Sequence, residues 1–187
     1  MKSRRAPRSE YLAGSLLLAH PSLRDGNFRR SVVLLSSHDE EGAVGVVLNR
    51  PLGRRLCDIN AAFSLGPLSN VPVYSGGPVQ PEQLLLCAWR ILPDDGGFRL
   101  HFGLDPVKAE ELAGSGDDLH FRAFLGYSGW SAGQLENELE HNTWVITGIP
   151  GDLASYSPGE GLWRELLAGI DHEWKLLADE PEDPSAN

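Results

Sequence analysis

A chain of 187 residues, with 41% hydrophobic and 22% charged side chains, can bury one well-packed core holding about 70% of the surface its unfolded form exposes. No apolar run approaches the roughly eighteen residues that span a bilayer, and the basic start MKSRRAPRSE leads into no secretory apolar segment, so a soluble cytoplasmic protein without a membrane association is expected. The net charge is −10 although Lys2, Arg4, Arg5 and Arg8 open the chain, so the body is acidic and repels phosphate backbones, which argues against a nucleic-acid partner.

Cys57 and Cys87 are the two cysteines. They form no CxxC and have no histidine at metal spacing, which fits reduced core thiols. The basic arm at 1–10 and the proline-broken acidic tail at 179–187 are expected to be disordered. Between them a single domain is expected over 11–178, without repeats or a linker.

In chain order, the apolar run Leu16–Ala19 ends at His20-Pro21 and suits a buried strand. Ser31–Ser36 and Ala43–Leu48 flank the loop HDEEG and read as a β-hairpin. Both strands are apolar on both faces, which places them centrally. Asn49-Arg50-Pro51 should stop the second strand, because proline cannot continue the ladder. A short helix is expected over 56–63. A short strand follows at Val71–Tyr74, near an edge because of Pro72, and Gly76-Gly77-Pro78 is a turn. Leu84–Trp89 and Phe98–Phe102 pair as a second hairpin across PDDGG. Asp105-Pro106 opens a helix with an acid at the N-cap and proline in the first turn, stopping at Gly114. Near the end, Ser157-Pro158-Gly159-Glu160 should cap a helix with Leu162, Trp163, Leu166 and Leu167 as its apolar stripe and Gly169 as its stop.

The densest local signals lie in FLGYSGWSAGQLENELEHNTW, from Phe124 to Trp144. It reads as a strand, a glycine turn, a capped helix and a strand. Ser131 and Gln134 have capping-box spacing, with Trp130 and Leu135 at the staple positions. Gly133 in the first helical turn has low helix propensity and implies a close approach of packed backbone or a ligand. Glu136 and Glu140 fall on a solvated edge. Glu138 lies between Leu135 and Leu139 and is a candidate for a half-buried carboxylate paired with Arg30 or Arg50.

On these motifs the chain resembles the YqgE/AlgH family. LAGSLLLAHPSLRDGNFRRSVVLL, GAVGVVLNRP, YSGGPV, FLGYSGWSAGQLENEL and NTW follow in the family's order, covering roughly residues 12–168. The resemblance implies an α+β fold: a mixed or antiparallel β-barrel-like sheet flanked by short helices. It also points to Asp25, Arg30, His38, Asn49, Arg50, Gly133 and Glu138 among the family's characteristic positions. Ala88 stands where the family usually carries a histidine. The family label attaches it to regulation of alginate synthesis without supplying a mechanism.

The residues themselves point away from familiar catalysis. GYSGW has Trp130 where a nucleophile elbow needs glycine. Phosphate loops, H-E-x-x-H, a His/Cys cluster and a helix-turn-helix signature are all missing from the sequence, so no cofactor and no metal is expected. What remains is a polar set at one end of the first hairpin: Asp25, Arg30, Asn49 and Arg50, able to bind an anionic group or to fix loops as an ion-pair network. His38 lies at the hairpin's other end. The expectation is a non-catalytic regulatory module that binds a protein or small molecule. Its rivals are an enzyme using Asp25 or His38 as base beside Arg50, and a transcriptional regulator as the family label suggests.

Overall fold

The computed structural model describes residues 11–92 and 97–179. The arm at 1–10, the loop tip at 93–96 and the tail from 180 onward lie outside them. Strand β1 (Leu16–Ala19) lies between β2 (Val32–Asp39) and a late strand, β9 (Trp144–Thr147), both antiparallel to it. Strands β2 and β3 (Gly42–Val47) form the expected hairpin around a turn at 40–41, with Asp39 paired to Gly42.

The doubly apolar pattern of these strands has a direct structural cause. Successive side chains of a strand face opposite sides of the sheet. Leu16, Leu18, Val32, Leu34 and Val46 enter one core, where they meet helices α4 (Glu160–Ala168) and α5 (His172–Asp179). Leu17, Ala19, Val33, Leu35 and Val47 enter another, which helix α3 (Gln134–Glu140) covers through Leu135. Helices thus cover both faces. The stripe Leu162, Trp163, Leu166 and Leu167 is buried throughout, and the Trp163 indole Nε1 donates to the Ala19 carbonyl at 2.8 Å.

The chain next builds β4 (Pro51–Arg55), α1 (Leu56–Ile59), a 3-10 turn at Ala61–Phe63 and β5 (Pro72–Ser75). Proline at position 51 therefore begins a strand instead of only ending one. It sits at the first position of the sheet edge, where its missing N–H leaves no ladder bond unmade. The edge place expected for Val71–Tyr74 belongs to β4; β5 lies between β4 and β8 (His120–Ser131). Pro72 is tolerated there because it too opens its strand. The second hairpin joins β6 (Val79–Ile91) to β7 (Phe98–Leu104), and α2 (Pro106–Ala113) follows, with the Asp105 carboxylate capping the Lys108 amide at 3.0 Å. A third core, with Leu56, Val73, Leu86, Ala109 and Ala123, lies under α1 and α2.

The sheet has nine strands in the order β4-β5-β8-β3-β2-β1-β9, with β6 and β7 joined through β8. It is mixed, since β5 runs parallel to β8 while the other pairs are antiparallel. It curls into a half-barrel with short helices, a single α+β domain. The curl is centred on β8. Its first half pairs with β5 and β6, its second with β3. Between the halves sits Gly126, at φ 71°, where an added Cβ would come within 2.5 Å of the Gly77 carbonyl. The glycine turn expected here is instead a bend in one continuous strand, because the pairing on either side of Gly126 carries the ladder through.

Two further details differ from expectation. Helix α4 starts at a Gly159 cap (φ 68°) rather than at Ser157, and α5, with no strong signal of its own, packs on α4 through the buried Ala178. Cys87 is buried, and burial pushes its thiol up to about 12; Cys57 is only half-buried.

Candidate functional site

The loop between β1 and β2 is built by Asp25. Its Oδ1 accepts from the amides of Asn27 (2.9 Å) and Phe28 (3.0 Å), an Asx turn that uses one of its two oxygens. Phe28 then stacks on Trp130, with ring centroids 6.1 Å apart, and meets Trp144 edge-on at 5.6 Å. The stretch Phe124–Trp144 therefore holds this loop from below. Arg30, at φ 52°, closes the loop in a left-handed conformation that side chains rarely adopt. Its guanidinium donates to Glu160 Oε2 at 2.8 Å and lies over the Trp163 ring at 5.6 Å.

Asn49 is the clasp of this end. Only 4% exposed, its Oδ1 accepts from the Val32 amide at 2.9 Å, and its Nδ2 donates to the carbonyls of Arg30 (2.8 Å) and Gly159 (3.1 Å). All of its hydrogen-bonding capacity except one lone pair is thus used. The side chain joins three chain segments that are far apart in sequence.

Arg50 stands beside it, half-buried. Its Nη2 donates to the Arg29 carbonyl at 3.2 Å. Desolvation first, then the neighbouring Arg29 charge, hold its pKa below the usual arginine value, while Asp25 and Glu160 push the other way. Two open clefts share Arg50. One, of about 360 Å³, is lined by Asn27, Val47, Arg50, Ser75, Gly77 and Pro81 among others. The second, of about 320 Å³, is lined by Gly26, Arg29, Arg30, Asn49, Gly159 and Glu160. The wall of the first is the Gly76-Gly77-Pro78 turn, where a Cβ on Gly77 would lie 2.3 Å from the Tyr127 carbonyl.

Asp25, Arg30, Asn49 and Arg50 therefore do gather at one end of the hairpin, whereas Gly133 and Glu138 do not join them. Glu138 pairs with no arginine among the described residues. Its Oε2 accepts from the indoles of Trp130 (2.9 Å) and Trp144 (2.7 Å), and its Oε1 from Gln134 Nε2 (3.0 Å). Two aromatic N–H groups brought together by β8 and β9 reach it first. Gly133 has nothing within 4 Å of where its Cβ would be. It is needed for the backbone, capping α3 at φ 74°, and not for a close approach. Only half of the expected capping box forms: the Ser131 amide donates to Gln134 Oε1 at 3.1 Å, while the serine hydroxyl turns to the same oxygen.

His38, 6% exposed, lies at the far end of β2 as expected. Its Nδ1 accepts from the Leu12 amide at 3.1 Å and its Nε2 lies 2.8 Å from Glu136. Glu136 is thus engaged, contrary to the solvated edge expected for it. Its own amide and then His38 hold its carboxyl below the usual range.

The arginine that the sequence did not single out is Arg122. Its guanidinium is sandwiched between the rings of Tyr74 (4.7 Å) and Trp89 (5.1 Å), and Nη1 donates to the Leu48 carbonyl at 3.2 Å. The available signal was a lone cation inside the apolar strand segment FRAFL.

The AlgH-like family model matches residues 16–175. The chain belongs to the AlgH-like family. A UPF0301 protein of Streptomyces avermitilis is 43% identical over 94% of this AlgH-like chain and 95% of its own length. One from Parabacteroides distasonis is 34% identical over 94% and 91%. The solution structure of the AlgH protein from Pseudomonas aeruginosa is 28% identical, with a TM-score of 0.67 covering 98% of this chain and 100% of that one. The curled sheet flanked by short helices is thus an AlgH-like fold.

Proposed function

We propose that this AlgH-like protein is a non-catalytic binding module and that its ligand presents an anionic group to Arg50 in the double cleft. The observation carrying this reading is the position of Arg50. It is half-buried, flanked by Arg29 and Arg30, and held by a backbone carbonyl, and it forms the ridge shared by two open clefts. A guanidinium in that setting gains from a carboxylate or phosphate that takes its fork bidentately.

The acid–base chemistry of an enzyme has weaker support here. A general base must reach its proton with a free lone pair. Asp25 is exposed, lines neither cleft and spends Oδ1 on loop amides, and His38 is tied to Leu12 and Glu136 away from the clefts. The acidic net charge also favours a small anion or an acidic side chain over a nucleic acid. Among the described residues no helix is long and apolar enough to cross a membrane.

Thermal shift of the full chain with pyrophosphate and with citrate tests the reading. A bound anion at about a hundred times its Kd adds about 2.7 kcal/mol of stability. The expected result is a rise in Tm for the wild type that Arg50→Ala abolishes and Arg50→Lys only partly restores. Equal shifts for the wild type and Arg50→Ala would refute the assignment.

A further inference from the structure

A third pocket, of about 250 Å³, lies beside the double cleft between β5, β8 and the segment 153–159. It is lined by Arg122, Tyr74, Tyr156 and Ser157, with Leu48, Leu153 and Leu162 as apolar walls. We propose that this pocket binds a small organic acid, with its carboxylate on the Arg122 guanidinium and its apolar body against the three leucines.

Removing a cation from water is unfavourable unless a counter-charge or hydrogen bonds replace the lost hydration. Desolvation lowers the Arg122 pKa, and the opposing influence comes from Tyr74 and not from any carboxylate. Among the described residues the protein supplies two ring faces and one carbonyl acceptor. A guanidinium has five N–H donors, so the stacked plane retains donors along its edge. The rings fix the orientation of that plane, which is what bidentate capture of a carboxylate requires.

The rest of the lining selects the class of ligand. The Tyr156 phenol, protonated near neutrality like any tyrosine, can donate to an anion from the pocket lining. One cation suits a single negative charge, whereas an inorganic phosphate would leave charge unmatched against leucine. The volume falls below the roughly 300–1,000 Å³ of drug-sized sites, which limits the occupant to a compact acid. Asn49 and Gly159 line both this pocket and the second cleft. The pocket nevertheless stands on Arg122 and does not depend on the Arg50 reading.

The test is titration of the full chain with butyrate, benzoate, phenylacetate and inorganic phosphate, read by calorimetry and by tryptophan fluorescence, since Trp89 stacks on the guanidinium. At least one acid should bind saturably. Arg122→Gln should weaken it by about tenfold to a hundredfold, as loss of a charge-assisted pair does, and Tyr156→Phe by a smaller factor. Lys108→Ala, which removes an exposed charge on α2, should leave the affinity unchanged. If Arg122→Gln fails to fold, Ala154→Trp closes the pocket from its exposed rim with Arg122 intact and should abolish binding. The proposal is overturned if no acid binds at millimolar concentration or if phosphate binds in preference. Undiminished affinity in Arg122→Gln or Ala154→Trp would overturn it as well. An acid lost in Arg50→Ala but retained in Arg122→Gln sits in the double cleft, which also overturns it.

Discussion

Removing the Glu138 carboxylate should destabilise the fold more than an exposed helical glutamate could. Its oxygens accept from two indoles that are 6% and 5% exposed, at 2.9 and 2.7 Å, and from Gln134 at 3.0 Å. In Glu138→Ala both indole N–H groups remain buried without an acceptor, at about 1–3 kcal/mol each. The two together amount to roughly 2–6 kcal/mol, before any gap beneath Trp130 and Trp144. For a chain of 187 residues, each kcal/mol lowers Tm by about 2–4 °C, so a fall of roughly 5–20 °C is expected. Glu138→Gln keeps a neutral acceptor for the indoles and should cost about 1 kcal/mol. Differential scanning calorimetry gives both numbers, and near-ultraviolet circular dichroism reports the tryptophan environment. If Glu138→Ala melted within a degree or two of the wild type, the carboxylate would not be holding the indoles. If Glu138→Gln were as damaging as the alanine, charge and not hydrogen-bond acceptance would be the operative property.

Asn49 offers a second test, in which shape and hydrogen-bond polarity separate. Asn49→Ala leaves the Val32 amide and the Arg30 carbonyl without their partner and takes one of two donors from the Gly159 carbonyl, which keeps the Leu162 amide, and should cost about 2–5 kcal/mol by urea unfolding. Asn49→Asp has the same shape but sets a carboxylate oxygen against those two carbonyls, so it should be no more stable than the alanine; a near-wild-type aspartate would refute the clasp. The third test concerns pH. The folded pKa of Glu136 is depressed, first by its own amide and then by His38, so its contribution is present above the ordinary value of 4.5 and is lost as pH falls through the folded value. The effect is small because the Glu136 side chain, though paired with His38, is 39% exposed. Glu136→Gln should therefore lower stability near neutrality and narrow its gap to the wild type as the pH falls below about 4.5. A gap that widens on acidification would contradict this sign.

Much of the fold was legible where local chemistry and tertiary packing agree. Asp105-Pro106 caps a helix because its signals lie within one turn. The doubly apolar hairpin is central because only a strand covered on both faces can afford that composition. Strand β4 was not legible, since PLGRR is exposed at all five positions and owes its form to pairing with β5. Glu138 misled for a related reason. Helical periodicity placed it on a half-buried edge, but its partners come from β8 and β9, whose approach is set by the sheet. The polar set at 25–50 was legible because a hairpin brings its two open ends together. Its other half, Gly159 and Glu160, lies about 110 residues further on and arrives only because α4 buries Trp163 and Leu162 against β1 and β3 neighbours.

The conspicuous tryptophan stretch and the cleft are parts of one construction. Glu138 fixes Trp130 and Trp144, and those rings receive Phe28. Phe28 follows directly on Asn27, which lines the cleft, and precedes the arginines by one and two positions. On the opposite face Trp163 underlies the Arg30 guanidinium, and Asn49 closes the ring of contacts between them. Residues without reach to a ligand can therefore govern how the arginines are presented, since small displacements of a supporting shell disturb a binding geometry. A variant such as Glu138→Gln, if it stays folded, should then weaken anion binding at Arg50 while leaving every cleft-lining residue in place. An affinity identical to wild type would separate the tryptophan stretch from the cleft and reduce it to a purely structural element.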